Sequence, residues 1–189
     1  DAVLGPVRSV YLSTAPNWMR EGDFHSTLPV WVGGEIRTGY TCNVLLRLDS
    51  PHVVGRRFNL ALGRTGGEDT EFFSHMHADG GGIAFAPEAY VYEPVTESRA
   101  GLSWLAKRRF RFGQTHGRLL QEKNAGPQRL KQIGLAAAKA AFCYGAALAC
   151  VFSPVPRYRY ALRGLMHTGV VSGLLGVREI RQYGTAEAA

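Results

Sequence analysis

Apolar positions along the chain follow two regimes. Up to about residue 98 they come in short runs cut by glycine and proline; beyond that they come in stretches long enough for whole helices. Ala2-Val3-Leu4-Gly5-Pro6-Val7 reads as a strand stopped by Gly-Pro. Residues 8–37 are interrupted by Pro16, Gly22, Pro29 and the Gly33-Gly34 pair and read as irregular, with Trp18 and Trp31 as packing anchors. Thr38 to Arg47 ends in an apolar run suited to a buried strand. Glu68 to about Asp79 has helical spacing, with Phe72, Phe73 and Met76 on one stripe and Gly80-Gly81-Gly82 as the stop. Ile83 to Ala86 and Tyr90 to Tyr92 read as two more strands.

The second regime opens with an Arg-rich helix over 99–123 and a break at Gly126-Pro127. Ile133 to Phe152 is then 20 residues with one charge, Lys139, and Leu162 to Val177 is a second apolar stretch. Twenty such residues just reach across a bilayer, yet eight are alanine, which weakens insertion. Three placements stay open: crossing a membrane, lying at its interface, or packing in a soluble core. The pattern gives an α/β fold class and three segments: 1–98, a basic helical segment 99–125, and an apolar helical, membrane-associating region 126–189.

Charge sharpens the same division. The net charge is +7 over 189 residues, but residues 1–98 hold 7 basic and 12 acidic side chains, whereas 99–181 hold 15 basic and 2 acidic. A basic half beside an acidic one calls for an anionic partner. Arg157, Arg159 and Arg163 suit anionic lipid headgroups. No RRM, KH or zinc-finger pattern supports nucleic acid as that partner. Cys42, Cys143 and Cys150 are too few and too scattered for a disulfide framework, which favours a cytosol-facing location.

The densest chemistry lies in Gly66-Gly67-Glu68-Asp69-Thr70-Glu71-Phe72-Phe73. Acids in a first helical turn complement the helix dipole, which accounts for their presence but not for their faces. Asp69 lies three, four and seven positions before Phe72, Phe73 and Met76, so it shares the core-facing stripe. A carboxylate there is unexpected unless it borders a cavity, and it is a candidate general base toward a hydroxyl. His75 and His77, two apart, point to opposite sides of a helix and do not share a metal.

These residues carry a family resemblance. Thr38 to Leu46, Gly66 to Phe73 and Ala86-Pro87-Glu88-Ala89-Tyr90-Val91-Tyr92-Glu93 together resemble the acceptor half of family-2 glycosyltransferases, in the branch that builds succinoglycan-type exopolysaccharides. The likeness runs from residue 1 to about 120. It implies a partial GT-A fold, the acceptor half, followed by the Arg-rich and apolar helices. It also implies inverting transfer from a nucleotide-sugar donor to a lipid-linked saccharide acceptor, at the cytoplasmic face of a bacterial inner membrane.

In that scheme Asp69 matches the catalytic base, and Glu68 flanks it, tuning it or hydrogen-bonding the acceptor. Gly39 and Asn43 match the segment lining the donor-sugar and acceptor side of the cleft. Asn43 can equally be an amide that satisfies loop backbone. Arg108-Arg109-Phe110-Arg111-Phe112 resembles a degenerate Gln-x-x-Arg-Trp motif, with Arg108 at the Gln, Arg111 at the Arg and Phe112 at the Trp. Three apart on a helix, Arg108 and Arg111 are candidates to clamp the departing diphosphate; His116 is a weaker one. The family also uses Mg²⁺ or Mn²⁺ held by an Asp-x-Asp motif. No Asp-x-Asp occurs in this sequence, and its donor half is expected upstream of Asp1. A rival reading is a non-catalytic, truncated relative that binds anionic membrane or glycan.

Overall fold

The computed structural model describes residues 1–182; residues 183–189, the end of the 126–189 segment, lie outside the described residues. In chain order the elements are β1 (Ala2–Leu4), β2 (Val7–Tyr11), α1 (Asn17–Gly22), β3 (Trp31–Val32), β4 (Glu35–Ile36), β5 (Val44–Leu46), α2 (Glu68–Ala78), β6 (Ile83–Phe85), β7 (Val91–Val95), α3 (Leu102–Lys123), α4 (Gly126–Ala149) and α5 (Pro154–Leu174). Short 3-10 turns stand at Leu60–Leu62 and Glu97–Arg99. The chain divides into two compact units: Asp1–Val10 with His25–Val95, and Tyr11–Phe24 with the chain from Thr96 onward.

In the first unit β1 is the middle strand of a mixed sheet, antiparallel to β5 and parallel to β6. Ala2 pairs with Leu46 on one side and Ile83 on the other. Side chains alternate along a strand, so Ala2 and Leu4 are buried while Val3 faces out. The buried face meets the Phe72, Phe73 and Met76 stripe of α2, with Val53 completing that cluster. Leu4, Val7, Ile36 and Tyr40 form a second cluster. Burial, and to a lesser degree the charge of Cys42, push the Tyr40 hydroxyl up to about 12; it donates to Gly5 O at 2.8 Å. Helix α2 stops at Gly80, whose φ is 95°, with Gly81 N–H returning to Met76 O at 2.9 Å.

Residues 8–37 are more ordered than their glycines and prolines suggest. They hold β2, which adjoins β7 in a two-stranded sheet, the short helix α1, and the antiparallel β3–β4 pair closed at Gly33-Gly34. The break before Gly126-Pro127 forms as expected, and the pair itself starts the next helix. Ala125 is the N-cap of α4 and a proline sits in its first turn, where the missing N–H costs nothing. Ser153-Pro154 starts α5 in the same way, eight residues ahead of the apolar stretch at Leu162.

In the second unit α3 and α5 pack backbone to backbone. Gly113 and Gly117 on α3 face Gly169 and Gly173 on α5, and a Cβ at Gly113 would stand 1.9 Å from Met166 O. Both GxxxG spacings are visible in the sequence, although no apolar pattern marks them. Met19 and Phe24 join Leu105 and Leu162 in a buried cluster. Arg109 and Arg159 donate to Phe24 O (3.3 Å) and Gly22 O (3.1 Å), which ties the 11–24 excursion to these helices.

Candidate active site

Gly66 and Gly67 have φ of 78° and 96°, a conformation that side chains resist, and so turn the chain into α2 without strain. Gly67 is the N-cap, which places Glu68, Asp69 and Glu71 in the first turn. Asp69 is half-buried. Its Oδ1 accepts from the Thr70 N–H at 2.6 Å and the Thr70 hydroxyl at 3.3 Å, and its Oδ2 has no hydrogen-bond partner among the described residues. Glu68 is also half-buried, with Oε2 shielded from solvent and without a hydrogen-bond partner among the described residues.

The Thr38–Asn43 segment lies directly against this turn. Thr38 Oγ1 donates to Thr70 O at 3.1 Å. Gly39 is buried so closely under α2 that a Cβ there would stand 2.8 Å from the Phe73 ring. Gly39 is therefore the residue that lets this loop reach the turn bearing Asp69. Asn43 anchors the other end: its Nδ2 donates to Pro6 O at 3.0 Å and to Ala89 O at 2.7 Å. Both amide protons are thus committed to main chain, and the side-chain carbonyl is what remains for a ligand. Sequence reasoning did not single out Thr38 or Phe73 as supports of the site. Their signal is the contact between loop and helix, which spacing does not carry.

Arg108 and Arg111 belong to the second unit. The Arg108 guanidinium lies between the rings of Trp104 and Phe112, 5.3 and 5.1 Å from their centroids. Arg111 is buried (4% exposed), its Nε donating to Gln182 Oε1 at 3.2 Å and its guanidinium 4.6 Å from the Phe112 ring. Neither stands as a freely exposed phosphate clamp. Between them in sequence, Arg109 is pulled down to about 10, first by burial and then by the charges of Arg108 and Arg163. His116 is exposed on α3.

A divalent cation needs several oxygen or nitrogen ligands around one point. Among the described residues no group of three or more His, Cys, Asp or Glu side chains comes together. The described residues do not by themselves fit such an ion.

The unit holding Asp69 thus offers a carboxylate with one oxygen held by its own helix and one uncommitted, beside a glycine-floored loop. That arrangement can accept a proton from a hydroxyl placed over the loop.

Set beside known proteins, the chain is 64% identical over 186 residues to the succinoglycan biosynthesis protein ExoM of Rhizobium meliloti (strain 1021). The matched stretch is 98% of this chain and 60% of that protein, so the chain spans about three-fifths of its relative's length. No family model matches. No solved structure matches.

Proposed function

We infer that this chain is the acceptor-side part of an inverting glycosyltransferase of exopolysaccharide synthesis, with a partial GT-A fold of family 2. The relative's name supports the exopolysaccharide setting. The observation that carries the reaction type is the uncommitted Oδ2 of Asp69, fixed at the start of α2 beside the Gly39 loop.

In this reading an acceptor hydroxyl attacks the anomeric carbon of a nucleotide sugar. The new C–O bond forms as the bond from that carbon to the nucleoside diphosphate breaks, on opposite faces, so the anomeric configuration inverts. The hydroxyl proton passes to Asp69 Oδ2. The hydrogen bonds from Thr70 hold Oδ1, so the carboxylate presents one oxygen in a fixed direction. Glu68 sits one residue away in the same first turn and flanks the base, tuning it or hydrogen-bonding the acceptor. Asn43, with both N–H donors taken, contributes an acceptor to the donor-sugar side. The resemblance further assigns Arg108 and Arg111 of the second unit to the departing diphosphate as sources of positive charge. The acceptor is a saccharide, lipid-linked, and the setting is the cytoplasmic face of a bacterial inner membrane.

The test is Asp69→Asn in the longest open frame containing this chain, assayed for sugar transfer from a labelled nucleotide-sugar donor. Loss of a general base predicts a fall in kcat of about 10²–10⁴-fold with donor affinity retained. Transfer at the parent rate removes Asp69 as the base and leaves the chain a binding module.

A further inference from the structure

We propose that the α4–α5 hairpin docks in the plane of an anionic phospholipid membrane, the groove between Lys139 and Arg163 seating a lipid phosphate while the outward face of α4 enters the acyl region. The inference shares its membrane setting with the glycosyltransferase reading, but it stands on different residues.

Helix α4 is long and apolar, yet only 22% of its most apolar window is buried. It therefore does not behave as a core helix. Ala136, Ala140, Cys143 and Ala147 form its inward stripe, at helical spacing. On the outside Leu135, Phe142 and Leu148 are exposed, the last two by 70% and 75%. Phe152, 96% exposed, extends this surface at the turn into α5. Scattered exposed leucines are ordinary, but an apolar surface running the length of a helix marks an interaction site.

Charge identifies the occupant. Residues 126–174 contain six Lys or Arg and no Asp or Glu. Arg129, Arg157 and Arg159 donate to the carbonyls of Leu174, Val151 and Gly22. Lys131, Lys139 and Arg163 make no hydrogen bond or ion pair among the described residues. Lys139 and Arg163, with His167, line an open groove together with Leu135, Ala138, Phe142 and Cys143. Cations beside apolar carbon match a surface that is anionic outside and hydrocarbon within. A polyanion such as nucleic acid has no use for the apolar lining, and a neutral apolar partner has none for the cations.

Packing sets the orientation. Helix α5 runs alongside α4: Ala136 packs on Val170 and Leu174, and the Tyr144 hydroxyl lies 3.0 Å from Thr168 Oγ1. Were α4 to cross the bilayer, α5 would carry its exposed Arg159 and Arg163 into hydrocarbon with it. Lying flat, α4 buries its apolar face while the long Lys139 and Arg163 side chains reach the headgroups.

The experiment is flotation of the full chain with vesicles of phosphatidylcholine containing phosphatidylglycerol, against vesicles of phosphatidylcholine alone. The chain should float with the anionic vesicles and be released by salt. Lys139→Gln with Arg163→Gln should weaken binding about thirtyfold, roughly fivefold for each cation removed near the surface. The charge-keeping pair Lys139→Arg with Arg163→Lys should retain it. Equal flotation on neutral vesicles, or parental binding by the Gln pair, overturns the proposal. Release by millimolar inorganic phosphate would assign the groove to a free anion instead, and resistance to alkaline carbonate would make α4 a spanning helix; either refutes the docking stated here. Flotation uses no sugar donor, so its outcome is independent of whether Asp69 transfers sugar.

Discussion

Gly113→Ala tests the packing that fixes the second unit. The added Cβ would stand 1.9 Å from Met166 O and 2.8 Å from both Gly169 Cα and Val170 N. Real Cβ contacts essentially never fall below 3.0 Å, so α5 must retreat by at least about 1 Å. The atoms met are main chain, and no rotamer change relieves them. Overpacking of this kind costs about 1–3 kcal/mol, at the upper end where the backbone itself must move. Replacing a mid-helix glycine by alanine returns about 1 kcal/mol of helix propensity. The net expectation is a loss of about 2 kcal/mol. Gly134→Ala on α4 is the matched control, since a Cβ there meets nothing within 4 Å; it should gain up to about 1 kcal/mol from propensity alone. Urea unfolding followed by far-UV circular dichroism reads both. Opposite signs are required. If Gly113→Ala proves as stabilising as Gly134→Ala, the two helices are not in backbone contact and the close packing of α3 on α5 is wrong.

Two further outcomes concern pH. Tyr40, held neutral by burial with its pKa at about 12 against the usual 10, contributes stability that is complete below pH 10 and is lost as pH rises to 12. The loss should reach about 2–3 kcal/mol. In Tyr40→Phe, urea midpoints should vary correspondingly less over that range, and an unchanged alkaline slope would show that Tyr40 is not the group responsible. His167 is held below the ordinary histidine value, first by desolvation, then by Lys139 from α4, Arg163 on its own helix and His116 from α3. The fold therefore favours its neutral form, so stability should fall as pH drops below about 6.5 towards the lower folded value. His167→Gln should flatten that acid limb; a limb as steep as the parent's would locate the proton uptake elsewhere.

Much of the first unit is legible because its signals are local. The Ala2 to Leu4 strand before Gly-Pro, the Phe72-Phe73-Met76 stripe and the Gly80 stop each depend on residues within a few positions of one another, and each forms where expected. The same holds for the placement of Asp69 in a first helical turn. Residues 8–37 were less legible because β2, β3 and β4 are pairings with other strands, which no single stretch encodes. How exposed Arg108 and Arg111 are was not legible for a related reason. Spacing puts both on α3, but aromatic rings at Trp104 and Phe112 and the approach of Gln182 decide how exposed each is.

What the sequence by itself determined is the change of character near residue 98, α2 and α3 within a few residues, the apolar bodies of α4 and α5 but not their starts, and the acids after Gly66-Gly67. Those follow from periodicity, caps and charge, all properties of neighbours along the chain. Tertiary structure alone decided that Gly39 floors the loop against Phe73, that Asn43 is tied to two carbonyls, and that Gly113 and Gly117 meet Gly169 and Gly173. It also decided that α4 buries a narrow alanine stripe and leaves the rest outside. The physical reason is the same in each case. Close approach and burial depend on which distant residue arrives, and a one-dimensional pattern records the surface a segment offers but not the surface that meets it.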